Sequence, residues 1–211
     1  MRTKREVRHT ARARRRELAA AMDASGTRDI AGRRIADAVL ALLARDGRSG
    51  PHRVAAYESL PSEPPTGPLV AALLAAGHEV IVPITLEDYS LQWTYAAHGT
   101  VGDQGTVTRG APAPEVATLG LDALATCDLV ITPGLTVDPR GVRLGQGGGC
   151  YDRALAHGDR AVPVVTLLYE GEASEGPLPA DEHDRLVDAY LTTTGRYVPV
   201  RTAPGPRSAE G

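Results

Sequence analysis

The sequence predicts a single α/β domain of Rossmann-like type, a mostly parallel sheet with helices on both faces. Three observations carry this. From Arg53 to Ile84 the chain runs strand, proline-rich loop, helix, strand, which is the order of a βαβ unit. Two further apolar runs, Cys127–Gly134 (CDLVITPG) and Ala161–Tyr169 (AVPVVTLLY), read as buried strands, and a helical pattern lies between them. The length of 211 residues, with 42% of them hydrophobic, suffices for one sizeable core.

In chain order, residues 3–22 predict a helix, with Val7, Ala11, Leu18 and Met22 as a sparse apolar stripe. Lys4 and Arg8 are four apart and share one face of it. A second helix is expected from about Thr27 to Arg45, with Ile30, Ile35, Val39, Leu42 and Leu43 turned inward and Gly47 as its stop. Arg53–Tyr57 is a short strand. Ser59–Pro68 is a loop with four prolines, Pro68–Gly77 a helix, and His78–Ile84 a strand. Leu91–Ala97 alternates as another strand, residues 99–115 are a Gly- and Pro-rich loop, and Leu119–Ala125 is a short helical piece. After Cys127–Gly134 the sequence predicts one long loop, Thr136–Gly149, then a helix from Cys150 and the strand Ala161–Tyr169. Leu178–Gly195 is loop, strand and turn. The domain is expected to span residues 1–198, with 199–211 a disordered tail.

Composition narrows the function classes. The net charge of -3 argues against general polyanion binding, and no apolar run approaches the roughly 18 residues that span a membrane. Residues 1–16 hold eight of the 23 Lys+Arg and a single acid, Glu6, without the apolar core of a secretory signal. An Arg-rich transit segment is the other reading of that composition. Cys127 and Cys150 are too few for a disulfide framework or a zinc site, so a reducing, cytoplasmic setting is expected. Lys4 is the only lysine in the chain. A compact ammonium suits a phosphate in ways a planar guanidinium does not.

The segment Arg143–Leu155 (RLGQGGGCYDRAL) carries the most chemistry. Four of the five positions from Gly145 to Gly149 are glycine, after a strand and before a helix. Ligands of open α/β sheets bind beyond the carboxyl ends of strands. Bare backbone lets a ligand approach closely, and a helix start favours an anion. Arg143 adds a charged fork for phosphate, and Asp152 a carboxylate for Mg²⁺. Neither standard phosphate motif fits: no Lys follows the glycines, and Cys150 stands where a dinucleotide fingerprint has its third glycine. The loop by itself points to a Mg-nucleotide or another phosphorylated ligand.

The wider segment Asp128–Leu155 closely resembles the signature of the 5-formyltetrahydrofolate cyclo-ligase family, approximately P-G-x-A-F-D-x-x-G-x-R-L-G-x-G-x-G-[YF]-Y-D-R. Pro133, Gly134, Asp138, Gly141, Arg143, Leu144, Gly145, Gly147, Gly149, Tyr151, Asp152 and Arg153 match in register. Lys4 to Arg8 resembles the family's N-terminal K-x-x-x-R, Val54–Thr66 its strand and loop with a Glu before a Thr, and Leu178–Gly195 its C-terminal L-P-x-E-x-H-D-x-x-V-D.

The resemblance implies ATP-dependent conversion of 5-formyltetrahydrofolate to 5,10-methenyltetrahydrofolate, with Mg²⁺, and with small molecules rather than nucleic acid, membrane or protein as partners. It further implies that Lys4 and Arg8 bind ATP phosphates and that Arg143, Leu144, Gly145, Gln146, Gly147, Gly148, Gly149, Cys150 and Tyr151 wrap the nucleotide. Arg143 would be catalytic, nearest the transferred phosphate. Asp152 and Asp184 would hold the metal, and Glu63 and Tyr151 would contact the folate. Thr136, Val137 and Cys150 depart from the pattern where it has Ala, Phe and an aromatic, which is expected to weaken apolar contacts to a pterin. Two other classes stand beside this one. One is a nucleotide-binding relative with another acceptor substrate or none. The other is a nucleic-acid-binding protein that uses the basic N-terminal helix.

Overall fold

The computed structural model describes residues 2–96, 118–159, 161–182 and 184–200. The expected loop at 99–115 and the residues beyond 200 lie outside these.

Helix α1 (Lys4–Ala24) starts at Thr3, which forms a reciprocal capping box with Glu6. Helices α2 (Arg28–Leu43) and α3 (Gly67–Ala75) follow, flanking strand β1 (Arg53–Ala55) in the chain. Strands β2 (Glu79–Thr85) and β3 (Leu91–Tyr95) come next. A 3-10 helix (Leu121–Thr126) leads into β4 (Leu129–Pro133). The predicted long loop after β4 is instead partly a hairpin, β5 (Thr136–Val137) against β6 (Arg143–Leu144). Helix α4 (Cys150–His157) and strands β7 (Val164–Leu168), β8 (Ala189–Thr192) and β9 (Tyr197–Pro199) complete the fold. The backbone of Val200 still bonds Asp188, so the sheet runs past the boundary expected at 198.

The main sheet has the order β3-β2-β1-β4-β7-β8-β9. Its five inner strands are parallel, and both edge strands are antiparallel. The chain reverses its direction of travel between β1 and β4, so this is a doubly wound sheet with its switch point there. Strand alternation sorts side chains onto two faces. Val54, Val80, Leu129, Ile131, Val165 and Leu167 pack against α2 and α3. Ala55, Ile81, Val130 and Leu168 pack with Trp93 against the 3-10 helix and α4. Each buried Leu, Ile or Val contributes about 1.5–3 kcal/mol relative to exposure, so the two faces carry most of the stability.

One inward assignment fails. Ile30 is 42% exposed. The buried face of α2 is Ala31, Gly32, Ile35, Ala36, Val39 and Leu43. At Gly32 a Cβ would lie 2.5 Å from Pro68 Cγ, so α3 approaches the α2 backbone there. That contact sets the rotation of α2 and leaves Ile30 on the outer side.

At Gly141, φ is +86°, and a Cβ would lie 2.5 Å from the carbonyl oxygen of Val187. Gly141→Ala is expected to lower stability by about 2–3 kcal/mol through backbone strain and overlap. Urea denaturation reads this directly; an unchanged midpoint would mean that the hairpin and the strand leading into β8 do not pack as described.

Candidate active site

The site is built at the carboxyl end of β4. Asp138, fully buried, organises the hairpin beyond it. Its carboxylate accepts the N–H groups of Arg140 (2.8 Å), Val142 (3.0 Å) and Leu178 (2.9 Å), and the guanidinium of Arg140 (2.7 and 2.9 Å). Burial raises the Asp138 pKa, but these donors more than reverse that and hold it below the usual carboxylate value. Through Leu178 the same residue anchors the segment that leads to Asp181 and Asp184.

Strand β6 then delivers Arg143, which is only 4% exposed. Its Nη1 donates to the carbonyl of Pro133 (3.1 Å) and its Nη2 to Asp152 (2.8 Å), while its buried Nε has no partner among the described residues. The guanidinium lies 5.8 Å from the centre of the Tyr151 ring. Leu144 turns its side chain into an apolar cluster with Val142, Leu178 and Val7.

In that loop the carbonyls are tied back by arginines. Arg8 Nε donates to Gly145 O (3.1 Å), Arg12 to both the carbonyl and the side chain of Gln146, and Arg153 to Gly148 O (3.0 Å). Among the described residues, no N–H from Gly145 to Gly149 donates to a protein acceptor. Gly147 (φ +106°) and Gly149 (φ +68°) supply the left-handed turns this path needs. Carbonyls held aside and amides left free make an anion-receptive nest at the start of α4.

Helix α1 brings the remaining cations. Lys4 Nζ sits 2.7 Å from Asp181 and 2.5 Å from Asp184. Burial would lower the ammonium pKa, but the bonds to those two carboxylates raise it overall. Lys4, Arg8, Arg143, the glycine loop, Cys150, Tyr151, Asp152, Asp184 and Glu63 all line one cavity of about 630 Å³. The structure therefore brings to one cavity the residues to which the sequence assigned binding, catalysis or metal. The two carboxylates expected to hold metal are each engaged by a cation, Asp152 by Arg143 and Asp184 by Lys4. Among the described residues no cluster of three metal-ligating side chains exists.

Glu63 is 5% exposed, and among the described residues its carboxylate accepts only the N–H of Leu60 (3.0 Å). Burial raises its pKa, partly offset by that N–H and by Arg15. Tyr151 is buried at its hydroxyl, which has no partner among the described residues, and its ring meets Trp93 edge-on at 6.5 Å. Burial pushes the Tyr151 pKa far up, so the phenol stays neutral. Of the three positions expected to weaken a pterin contact, Thr136 and Val137 are buried strand residues that line none of the cavity; Cys150 alone reaches it. His183, which the sequence reads as a loop hydrogen-bonder rather than a catalytic base, lies outside the described residues.

Sequence reasoning missed Arg12 and Arg15, which looked like two more members of a basic helix. It also missed Glu172, buried at 6% exposure, and the organising role of Asp138. Arg15 carried a signal: it falls in the 7-11-15-18-22 stripe of otherwise apolar positions.

The fold and cavity together define a doubly wound α/β protein with an anion-receptive loop at the carboxyl end of its sheet. The profile of the 5-formyltetrahydrofolate cyclo-ligase family matches residues 1–193, and the chain belongs to that family of enzymes. It is 31% identical over 153 residues to the 5-formyltetrahydrofolate cyclo-ligase of Mycolicibacterium smegmatis, covering 70% of this chain and 77% of the relative. The fold is shared with the 5,10-methenyltetrahydrofolate synthetase of Mycoplasma pneumoniae (TM-score 0.65, 19% identity, 90% of this chain and 98% of that one). It is shared equally with the Aquifex aeolicus protein of the same name (TM-score 0.65, 22% identity, 98% and 97%). No helix among the described residues is long and apolar enough to cross a membrane.

Asp138→Asn is expected to cost about 2 kcal/mol, the worth of hydrogen bonds to a buried charge. Because the folded pKa of Asp138 is depressed, its contribution is complete above the unfolded value of about 3.9 and disappears as pH falls through the folded value. Denaturation at stepped pH should therefore show the parent losing more stability than the variant below about pH 4. Parallel curves would contradict the role given to this carboxylate.

Proposed function

We propose that the protein closes 5-formyltetrahydrofolate to 5,10-methenyltetrahydrofolate using Mg-ATP. The observation that carries this is the glycine loop: free amides in the same cavity as Lys4, Arg8 and the buried Arg143, with Glu63 and Tyr151 lining it too. Phosphates would occupy the loop and take the charges of Lys4 and Arg8. Arg143, whose Nε is unpartnered, would stand nearest the transferred phosphoryl group. Glu63 and Tyr151 would hold the folate, Glu63 by accepting from ring N–H groups.

The reaction needs positioning and charge rather than an enzyme nucleophile. The formyl oxygen attacks the γ-phosphorus, the bond to the β-phosphate oxygen breaks, and ADP leaves. N10 then attacks the activated carbon and loses its proton, and phosphate departs with the former formyl oxygen. Arg143 would stabilise the phosphoryl charge in both halves.

Magnesium is commonly bound by one or two carboxylates plus phosphate oxygens, which fits a site without a three-acid cluster. Asp152, with Asp184 as the second acid, would hold it, and it would neutralise phosphate charge. Phosphates entering the loop would draw Arg143 and Lys4 from these carboxylates and release them for the ion.

The test is to mix the protein with Mg-ATP and 5-formyltetrahydrofolate and follow the near-UV absorbance of the methenyl product. Arg143→Ala should lower kcat on the order of 10²–10³-fold, the range seen for loss of a donor at developing charge. Lys4→Ala should weaken ATP binding by about 10- to 100-fold. A wild-type protein that binds ATP without forming product would point to a different acceptor, and absence of ATP binding would remove this reading of the loop.

A further inference from the structure

We infer that Arg15, locked by Glu172, is a positioning residue for Glu63: it helps fix the loop carrying Glu63 and supplies the positive charge that faces that buried carboxylate. The inference rests on the reading of Glu63 as a folate contact.

Arg15 is seven residues after Arg8 on α1 and only 2% exposed. Its guanidinium forks onto Glu172, with Nε to Oε1 at 2.8 Å and Nη2 to Oε2. Glu172 Oε2 also accepts the backbone N–H of Tyr169 (2.8 Å), and Arg15 lies 5.8 Å from the centre of the Tyr169 ring. The Tyr169 hydroxyl donates to the carbonyl of Glu63 (3.1 Å), which Arg28 also holds (3.1 Å). One continuous set of contacts thus joins α1, the end of β7 and the Glu63 loop, and both Arg15 and Glu63 line the cavity.

A buried ion pair is rarely the most stable way to fill such a place, because desolvation offsets much of its attraction. Val7, Ala11, Leu18 and Met22 fill the rest of the stripe, so an aliphatic residue would serve packing at position 15. What the charge adds is a field at Glu63. The groups around that carboxylate are Arg15 from α1, Arg28 from α2, Tyr57 after β1, Tyr151 from α4, and Tyr169 and Glu172 beyond β7. Burial drives Glu63 toward its neutral form; the Leu60 N–H and Arg15 oppose this, and Glu172 weakly reinforces it. On this proposal Arg15 acts more strongly on Glu63 than Glu172 does, so the pair as a whole favours the carboxylate.

The experiment titrates Glu63 itself, by carbon-13 NMR of the 211-residue chain labelled at its Glu carboxyls, with the signal assigned by its loss in Glu63→Gln. Glu172→Gln removes the opposing charge and leaves one oxygen to accept from Arg15 in place of the two-oxygen fork. Arg15→Met combined with Glu172→Met removes both charges and keeps apolar volume. The Glu63 midpoint should fall in the first and rise in the second, each by roughly several tenths of a pH unit. A purely structural pair would leave it in place or move it the same way in both variants, and either result would overturn the inference. Should the double variant fail to fold, an unmoved or raised midpoint in Glu172→Gln suffices to overturn it, and a lowered one to support it. In the turnover assay the acid limb of kcat/KM for 5-formyltetrahydrofolate should shift with the midpoint, while KM for ATP stays within about twofold. A wild-type protein silent toward the folate would sink the proposed function, yet the titration would still decide what Arg15 does.

Discussion

A guanidinium almost cut off from water needs acceptors arranged around it before it can exist there at all. Arg143 is that group, and much of the site follows from satisfying it. The carbonyl at the end of β4 takes one donor, and Asp152 in the first turn of α4 takes another. The strand end, the hairpin and the helix start are therefore fixed relative to each other by one side chain. Gly134 completes the arrangement, because a Cβ there would lie 2.5 Å from Thr166 Cγ2 and 3.2 Å from the stem of Arg143. The Nε left over is a donor under strong pressure to find an oxygen.

The long N-terminal helix acts from the other side. Lys4, Arg8, Arg12 and Arg15 lie along it at helical spacing and reach in turn the Asp181–Asp184 segment, Gly145, Gln146 and Glu172. Half of the basic residues in the first sixteen positions are thus committed to internal contacts. Arg8 and Arg12 hold the glycine loop by its carbonyls, with its amides free.

The fold was legible because strand alternation and helix periodicity are local properties. The βαβ order, the buried strands β4 and β7 and the start of α4 at Cys150 all follow from short patterns. The cavity was legible because its residues sit in short contiguous motifs, Lys4–Arg8, the Glu63 loop, Arg143–Leu155 and Leu178–Gly195, that resemble those of one family. What escaped was set by tertiary contacts. The two-residue strands β5 and β6 have no period to detect and depend on Asp138 for their shape. The facing of Ile30 was decided by a glycine–proline contact with another helix. The pairing of Arg15 with Glu172 spans 157 residues, a distance over which a single sequence carries no pairing information.

The solitary lysine has a consequence beyond the binding of phosphate. Within these 211 residues the only side-chain amine is Lys4, and it stands in the cavity between two carboxylates. Acyl donors and aldehydes react with the neutral amine, and those carboxylates keep this one protonated. The chain has thus reduced its exposure to adventitious lysine acylation to a single position, and that position carries its own electrostatic protection.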